Sequence, residues 1–238
     1  MMKLPSLALL AGGLATRLRP YTLQVPKAMI EVASEPFIAH QLRLLRRNGI
    51  GRVVLCISYF GDQIEAFVKD GAKYGIDVTY SYDGPHLLGT GGALRRALGH
   101  LGSEFFVMYG DSWLDAEFTP IFDTFCASGK SALMTVYRNE DRWDKSNVWF
   151  EDGRILAHDK THRSPAMRHI DWGLSVIKAD ILFRRASDTP FDLTSIFSEL
   201  AQQGDLVGYE IGTRFYEIGS IEGLRETDAL LRGKVQSL

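Results

Sequence analysis

Apolar and polar segments alternate along the first half of the chain. Short apolar runs predict buried strands, and longer segments with apolar residues three and four positions apart predict helices. The predicted strands are Leu7–Ala11, Arg52–Ser58, Asp77–Tyr82, Glu104–Tyr109 and Ser131–Tyr137, and the predicted helices are Phe37–Arg47, Asp62–Lys69, Ala93–Leu101 and Thr119–Ala127. This order predicts an α/β protein whose mostly parallel sheet is covered by helices on both faces.

The second half has a different pattern. The Asp152-Gly153 pair between two apolar runs predicts a hairpin, and the polar, basic stretch from Thr161 to His169 predicts a loop or lid. The remaining predicted elements are the strands Asn147–Phe150, Arg154–His158, Asp171–Ile177, Leu206–Glu210 and Phe215–Ile218 and the helices Leu193–Gln203 and Ile221–Leu231. No repeat or linker interrupts the pattern, so we expect residues 1–238 to form a single domain.

Composition narrows the class of protein. The chain has 238 residues, of which 45% are apolar and 24% charged, and its net charge of -2 gives no indication of a nucleic-acid or membrane-surface partner. The first residues also resemble the start of a secretory signal, but Pro5 and Gly12 interrupt their apolar stretch. Cys56 and Cys126 lie in apolar surroundings without a metal-binding spacing, which predicts buried free thiols and a reducing, cytoplasmic compartment.

The segment from Leu10 to Lys27 carries the strongest chemical signal. An apolar strand opens into Gly12-Gly13, and the cations Arg17 and Lys27 follow. Loops of this kind at the carboxyl end of a strand are where α/β proteins hold phosphates. The glycines let backbone N–H groups approach anionic oxygens, and the cations neutralise them. The segment therefore predicts a phosphate-bearing ligand, most simply a nucleotide.

Two other segments enter or leave predicted elements with chemically useful residues. Gly89-Thr90-Gly91-Gly92 precedes a helix, and it is either a plain helix-entry turn or a close approach to a flat base or ribose. Gly110-Asp111 directly follows the strand Glu104–Tyr109, at the edge of the sheet where ligands bind. A carboxylate there suits Mg²⁺, which prefers hard oxygen ligands, although a turn residue has the same sequence pattern.

The second half adds weaker candidates. Asp159-Lys160 ends the predicted hairpin and is either part of a site or a solvated charge pair. Glu217 stands at a strand end and is either a second metal ligand or an ordinary edge carboxylate. Cations for phosphates and carboxylates for Mg²⁺ suit phosphoryl or nucleotidyl transfer. The sequence has no GxxxxGK[ST] motif, which argues against a P-loop kinase.

Taken in order, these motifs resemble a known family. LAGGLATRLRPYTLQVPKAMIEV is similar to the signature of sugar-1-phosphate nucleotidyltransferases, and the similarity continues through LLGTGGAL, YGDSWLD, HDK, IDWGLSV and FYEIGSIEGL over nearly the whole chain. It looks closest to short bacterial members such as heptose 1-phosphate guanylyltransferases and muramate 1-phosphate uridylyltransferases. The resemblance implies a Rossmann-like, GT-A-like α/β fold with three α/β/α layers, a mostly parallel mixed central sheet and a small sugar-side β layer. Residues 1–137 would form the nucleotide-binding half and residues 138–238 the sugar-binding half with its closing helix.

The resemblance also implies a role for each matching residue. The nucleotide would contact Leu10, Ala11, Gly12, Gly13, Asp83, Gly89 and Thr90. Arg17 would hold the departing phosphates, Lys27 would bridge the two reacting phosphates, and Asp111 with Glu217 would bind Mg²⁺. On the sugar side, Lys160 would hold the sugar 1-phosphate, Asp159 would lie near the sugar hydroxyls, and Gly173 would form part of the wall. A sugar phosphate oxygen would attack the α-phosphorus and release pyrophosphate.

Two positions depart from the family pattern. Ala15 stands where the family usually has glycine, and its methyl group strains the backbone unless φ is negative. Glu217 stands where many members have aspartate, so its carboxylate reaches one methylene further.

The resemblance implies the partners as well. We expect an NTP, GTP or UTP, and a sugar 1-phosphate, with no nucleic-acid or membrane partner and a monomeric or homodimeric state. The product would serve as a precursor of cell-surface polysaccharides. Two alternatives stay open: a cytidylyltransferase acting on a phospho-alcohol such as phosphocholine, and a catalytically silent regulatory subunit that binds nucleotide sugars.

Overall fold

A computed structural model describes residues 3–13, 15–19, 21–186 and 189–235 of the chain. The strands in these ranges are β1 Leu7–Leu10, β2 Glu31–Val32, β3 Glu35–Pro36, β4 Arg52–Ile57, β5 Asp77–Tyr82, β6 Glu104–Tyr109, β7 Ser112–Trp113, β8 Ala132–Arg138, β9 Val148–Glu151, β10 Arg154–His158, β11 His169–Lys178, β12 Leu206–Glu210 and β13 Tyr216–Glu217. The α-helices are α1 Phe37–Arg47, α2 Gly61–Val68, α3 Gly89–Ala97, α4 Thr119–Ser128, α5 Asp180–Phe183, α6 Leu193–Gln202 and α7 Ile221–Val235. None of these helices has the length and apolar character needed to cross a membrane.

The main sheet has the strand order β5-β4-β1-β6-β11-β8-β12-β10-β9 within the described ranges. Strands β5, β4, β1 and β6 run parallel to one another, and β11 runs antiparallel to both β6 and β8. Strand β12 is parallel to β8, and the β9–β10 hairpin completes the far edge. This mixed sheet with its helices confirms the α/β class predicted from the alternating pattern.

Apolar side chains cover both faces of the sheet because successive strand residues point to opposite sides. Leu7 and Leu9 of β1 pack in a cluster with apolar residues of α1, α2, α4 and α7. Ala8, between them, packs in a second cluster with residues of α3, α5 and α6. Strands β1, β4 and β6 are therefore largely buried on both sides, whereas β5 at the edge of the sheet is partly exposed.

The predicted hairpin around Asp152-Gly153 is confirmed. Strands β9 and β10 pair antiparallel, and both turn residues have positive φ, 47° at Asp152 and 76° at Gly153. Such a turn matches the twist of its two strands. The adjoining loop ends one residue earlier than predicted, because His169 already pairs with Arg138 at the start of β11.

Two expectations were wrong. Helix α3 begins at Gly89 rather than Ala93, so the glycine-rich segment forms its first turn instead of preceding it. Cys126 is exposed rather than buried, because α4 turns it away from the core, whereas Cys56 is buried in β4. Desolvation raises the pKa of the Cys56 thiol to about 12, so this thiol stays protonated at neutral pH.

Candidate active site

The carboxyl ends of β1 and β6 bring the glycine loop next to the predicted metal ligand. The two strands are parallel neighbours in which Leu10 pairs with Tyr109. The Gly110 N–H donates to the Leu10 carbonyl at 2.9 Å, and a Cβ at Gly110 would lie 2.6 Å from that oxygen. Only a glycine allows this approach without displacing the backbone. Gly110 thus places Asp111 beside the start of the loop.

A cavity of about 280 Å³ opens at these strand ends. Its lining includes every residue expected on the nucleotide side: Leu10, Ala11, Gly12, Gly13, Asp83, Gly89 and Thr90. Lys27 and Asp111 line it too. The structure therefore brings together residues from three separate sequence segments in one depression.

A second cavity of about 860 Å³ adjoins the first, and Tyr109 and Asp111 line both. Arg17, Lys160 and Glu217 line this larger cavity. The predicted phosphate-binding cations are thus divided, with Lys27 on the smaller cavity and the other two on the larger. Asp111 lies where the two cavities meet.

Lys27, Asp111 and Glu217 form a charged cluster at this junction. The Lys27 ammonium lies 2.7 Å from a carboxylate oxygen of Asp111. Glu217 reaches the same place because β13 pairs with β7 directly after Asp111, and the Ile218 N–H donates to the Asp111 carbonyl at 2.9 Å. A Cβ at Gly219 would lie 3.1 Å from the lysine nitrogen and 2.2 Å from a Glu217 oxygen, so both groups crowd the same glycine.

The donor set of this cluster suits one hard divalent cation. No group of three or more His, Cys, Asp or Glu side chains among the described residues is arranged to hold a metal. Two carboxylates, from Asp111 and Glu217, are nevertheless what a magnesium site uses when substrate phosphates and waters complete the shell. Glu217 is held in place by Ser220, whose hydroxyl donates to it at 3.0 Å, and by the Gly219 N–H.

Asp83 forms the inner wall of the smaller cavity. Its side chain is buried, and the Leu88 N–H donates to it at 3.3 Å. Desolvation raises the pKa of Asp83, while the Leu88 N–H and the Arg96 charge oppose that rise. Within the part of the chain that the structure describes, the Leu88 N–H does not use all the lone pairs of this carboxylate. A donor group of a ligand would be favoured beside it, because the carboxylate is partly desolvated.

The glycines of the GTGG segment pack closely against the neighbouring loop that contains Phe191. The N–H groups of Gly91 and Gly92 donate to the Phe191 carbonyl, at 2.9 and 3.2 Å. A Cβ at Gly91 would lie 2.2 Å from the Phe191 ring, and one at Gly89, where φ is 71°, would lie 2.6 Å from the Phe191 carbonyl oxygen. Packing explains these glycines, and Gly89 and Thr90 in addition face the cavity.

Ala15 has a left-handed backbone conformation, with φ 47° and ψ 43°. Its carbonyl accepts hydrogen bonds from the Thr22 hydroxyl at 2.9 Å and the Leu18 N–H at 3.0 Å, and these bonds hold the conformation. The negative φ that would have removed the strain at this alanine is therefore not observed. A methyl group in this region costs roughly 1–2 kcal/mol.

The remaining sugar-side predictions have separate positions. Asp159 accepts the Thr161 and His162 N–H groups at 2.7 and 2.9 Å, which lower the pKa of its carboxyl, and it does not appear in the lining of either cavity. Gly173, with φ 102°, lies beside Tyr109 and Ser112 behind the larger cavity. Lys160 alone of these three lines that cavity.

Sequence reasoning missed Asp171, which lines the larger cavity. Its carboxylate accepts the Gly173 N–H at 2.9 Å and the Tyr109 hydroxyl at 3.4 Å. Burial and the nearby Asp171 charge raise the pKa of Tyr109 well above its usual value, so the hydroxyl stays protonated and donates. An acidic residue within an otherwise apolar strand was the signal available in the sequence.

Sequence reasoning also missed Arg214, whose guanidinium contacts two aromatic rings. The Arg214 guanidinium lies 3.4 Å from the centre of the Trp143 ring and 4.7 Å from that of Tyr216. Trp143 is half exposed and lines the larger cavity, whereas Trp172 is buried in the core with its indole N–H donating to the Thr213 carbonyl at 2.9 Å. Trp143, rather than Trp172, is therefore available to a ligand.

The chain resembles a known protein family. The nucleotidyl transferase family profile matches residues 8–146, which is more than half of the chain. The chain belongs to the nucleotidyl transferase family. The matched residues include all of the described lining of the smaller cavity except Asp192.

Two curated relatives are guanylyl- or guanyltransferases by name. The chain is 30% identical to mannose-1-phosphate guanyltransferase beta-B of Xenopus laevis, over 89% of this chain and 60% of the relative. It is 28% identical to a mannose-1-phosphate guanylyltransferase of Mycobacterium tuberculosis, over 94% of this chain and 64% of that one. It thus spans less than two thirds of the length of these curated relatives.

A solved structure extends the likeness to the whole fold of this nucleotidyl transferase. HddC from Yersinia pseudotuberculosis, solved in complex with GMP-PN, superposes with a TM-score of 0.81 over 96% of this chain and all of that one, at 21% identity. At this identity the likeness establishes the fold.

Proposed function

We propose that this nucleotidyl transferase joins an NTP to a sugar 1-phosphate, giving an NDP-sugar and pyrophosphate. One observation carries the proposal: a cavity lined by the glycine loop meets a larger cation-lined cavity at Asp111, with Lys27 2.7 Å from that carboxylate. Two substrates that react through their phosphates need two adjoining cavities with positive charge at the junction.

Each cation of the site would bind a different phosphate, according to its position. Lys27 lies at the junction and would neutralise the α-phosphate and the attacking sugar phosphate as they approach. Arg17 is exposed on the larger cavity and would hold the phosphates that leave. Lys160 would hold the incoming sugar phosphate. That phosphate is already ionised at neutral pH, so the attack needs orientation rather than a general base.

Asp111 and Glu217 are the residues that would hold Mg²⁺. Glu217 lies on β13 opposite Ser112, the residue after Asp111, and both carboxylates offer hard oxygen donors. The bound ion would neutralise charge on the phosphate oxygens. Lys27 would then share Asp111 with the ion, and its position beside both the carboxylate and the cavity allows it to contact the phosphates as well.

GTP is the nucleotide that the smaller cavity favours. Asp83 supplies acceptor oxygens in a desolvated wall, and guanine presents two adjacent donors, N1–H and the exocyclic amine, whereas uracil presents one. A buried acceptor left unpaired by the wrong base costs affinity. The names of both curated relatives, which are guanylyl- or guanyltransferases, support the same choice.

The proposal includes the finer architecture. Residues 1–137 would form the nucleotide-binding half and residues 138–238 the sugar-binding half of one GT-A-like domain with three α/β/α layers. Support comes from the apolar clusters on both sheet faces and from the short β7–β13 ladder at the junction of the cavities. We further propose that Asp159 acts by shaping the loop beside Lys160, since Thr161 and His162 already occupy its carboxylate.

A pyrophosphate-release screen tests the function. The purified chain is incubated with Mg²⁺ and each of four NTPs against a panel of sugar 1-phosphates that includes mannose, glucose and heptose 1-phosphates, with phosphocholine as a non-sugar acceptor. We expect release that depends on both GTP and one sugar 1-phosphate, and none from Asp111→Asn. Release with CTP and phosphocholine would favour the cytidylyltransferase alternative. Nucleotide binding without release for any pair would favour a silent regulatory subunit.

A further inference from the structure

Gln41 is a buried polar side chain on the inner face of α1. Its exposed fraction is 0%, although glutamine is normally a surface residue. The side-chain nitrogen donates to the Ser112 carbonyl at 2.9 Å and to the Tyr109 carbonyl at 3.3 Å. The other end of the amide, Oε1, has no hydrogen-bond partner among the described residues. The polar interactions of this side chain within the described residues are therefore the two hydrogen bonds that it donates.

These two carbonyls stand on either side of Gly110-Asp111. The same short segment is held from β1 through the Gly110 N–H and from β13 through the Asp111 carbonyl. Those contacts use backbone atoms and would survive most substitutions. The Asp111 carboxylate itself accepts the Ser112 hydroxyl at 3.2 Å and the Lys27 ammonium at 2.7 Å. The bonds from Gln41 add a side-chain contribution to the backbone, since they fix the chain immediately before and after the carboxylate.

An amide is the group that this position requires. One NH₂ carries two hydrogens and can satisfy two carbonyl oxygens at once, whereas a carboxylate would repel both and an apolar side chain would leave both unpaired. A shorter amide on the same helix could not reach the carbonyls that Gln41 contacts. The turn bearing Asp111 is thus matched to the length and chemistry of Gln41.

We propose that Gln41 is a positioning residue that holds the Asp111 carboxylate in the orientation needed to bind a divalent cation. The inference rests on the proposed function, because Asp111 is the metal ligand of that site. Groups that orient a ligating carboxylate without touching the metal typically contribute about 10–100-fold in metal affinity. A protein whose Asp111 carboxylate is displaced by a fraction of an ångström would still fold, but it would bind the ion less well.

The test compares Gln41→Met and Gln41→Asn with wild type and with the control Asn48→Ala. Asn48 is suited to this comparison because it also lies at α1 and braces the same loop, accepting the Phe118 N–H at 3.1 Å, but seven residues beyond Asp111. The metal probe is Mn²⁺, titrated by electron paramagnetic resonance in the presence of a non-hydrolysable GTP analogue. Thermal unfolding is measured for every variant.

We expect both Gln41 variants to bind Mn²⁺ at least about tenfold more weakly and to need correspondingly more Mg²⁺ for half-maximal pyrophosphate release. Their affinity for the GTP analogue in EDTA should not change. Asn48→Ala should lose stability and keep wild-type Mn²⁺ affinity. Wild-type Mn²⁺ affinity in a folded Gln41 variant, or failure of both variants to fold, would overturn the proposal. The Mn²⁺ titration gives its answer even if the wild type releases no pyrophosphate, so failure of the proposed function is recognised separately.

Discussion

The ammonium group of Lys27 and the carboxylate of Asp111 are 2.7 Å apart, although 84 positions separate them in the chain. Lys27 begins a single-turn helix after the glycine loop, and Asp111 follows the central strand β6. Both side chains are largely shielded from water, with 16% and 30% exposed. The pair lies at the junction of the two cavities, and it is the first target for mutagenesis.

Replacing Lys27 by Met should abolish most activity while the protein stays folded. A positioned charge that stabilises a reacting phosphate is worth on the order of 10²–10³ in turnover, and methionine keeps the apolar stem but not the charge. Pyrophosphate release and thermal unfolding are measured together. Asp115→Asn is the matched control, because that carboxylate pairs with Arg47 and Lys234 away from the cavities. Near-normal turnover of the Lys27 variant would refute its assigned role.

Ala15→Gly should stabilise the protein. Glycine removes the clash that a Cβ causes at φ 47°, and after its greater freedom in the unfolded chain is subtracted, a gain of roughly 0.5–1 kcal/mol remains. Ala15→Val should have the opposite effect, since a β-branched side chain is worse in this conformation. Urea unfolding of the three proteins gives the comparison. A glycine variant less stable than wild type would show that the alanine conformation is not strained.

Gly91→Ala should disturb the loop that closes the smaller cavity. The new methyl group would lie 2.2 Å from the Phe191 ring and force that loop outward, at a cost of about 1–3 kcal/mol. Because Asp192, the next residue, lines the cavity, the KM for the nucleotide should rise as stability falls. Gly99→Ala is the control: nothing lies within 4 Å of its added Cβ. Equal effects of both substitutions would contradict the packing explanation.

His158 should make folding stability depend on pH. Its ring is buried, and neither ring nitrogen has a partner among the described residues. Desolvation lowers its pKa below the usual 6.5, with Asp171 opposing and Lys160 reinforcing the change. As pH falls below 6.5, His158 therefore binds a proton in the unfolded chain but not in the folded chain, and the free energy of unfolding decreases.

Urea midpoints at pH 7.5 and pH 5 measure this effect. The difference between the two midpoints should shrink in His158→Leu and should stay at the wild-type value in the control His100→Gln, because the His100 side chain is exposed to solvent rather than buried. A His158→Leu protein with unchanged pH dependence would mean that other groups cause the loss of stability.

The elements of the fold were largely readable from the sequence, because local patterns encode them. Helix α1 and strands β5, β6, β10 and β12 have the predicted bounds. The short strand β7 illustrates what was not readable: a strand of two residues has no periodicity, and only its partner β13 defines it. The predicted start of α3 was wrong because its glycines, taken by themselves, indicate a turn. In the structure the Phe191 carbonyl accepts the Gly91 and Gly92 N–H groups, and the segment forms the first turn of the helix.

The sequence by itself determined which residue types were available for phosphate chemistry: a glycine loop with cations after the first strand, and a carboxylate after β6. The tertiary structure alone decided which of them meet. It brought Glu217 to Asp111 through the β7–β13 ladder, placed Asp171 rather than Asp159 in the larger cavity, and gave Ala15 a positive φ. The physical reason is that strand pairing and packing bring distant segments together, and a side chain's partners are set by that pairing rather than by its neighbours in the chain.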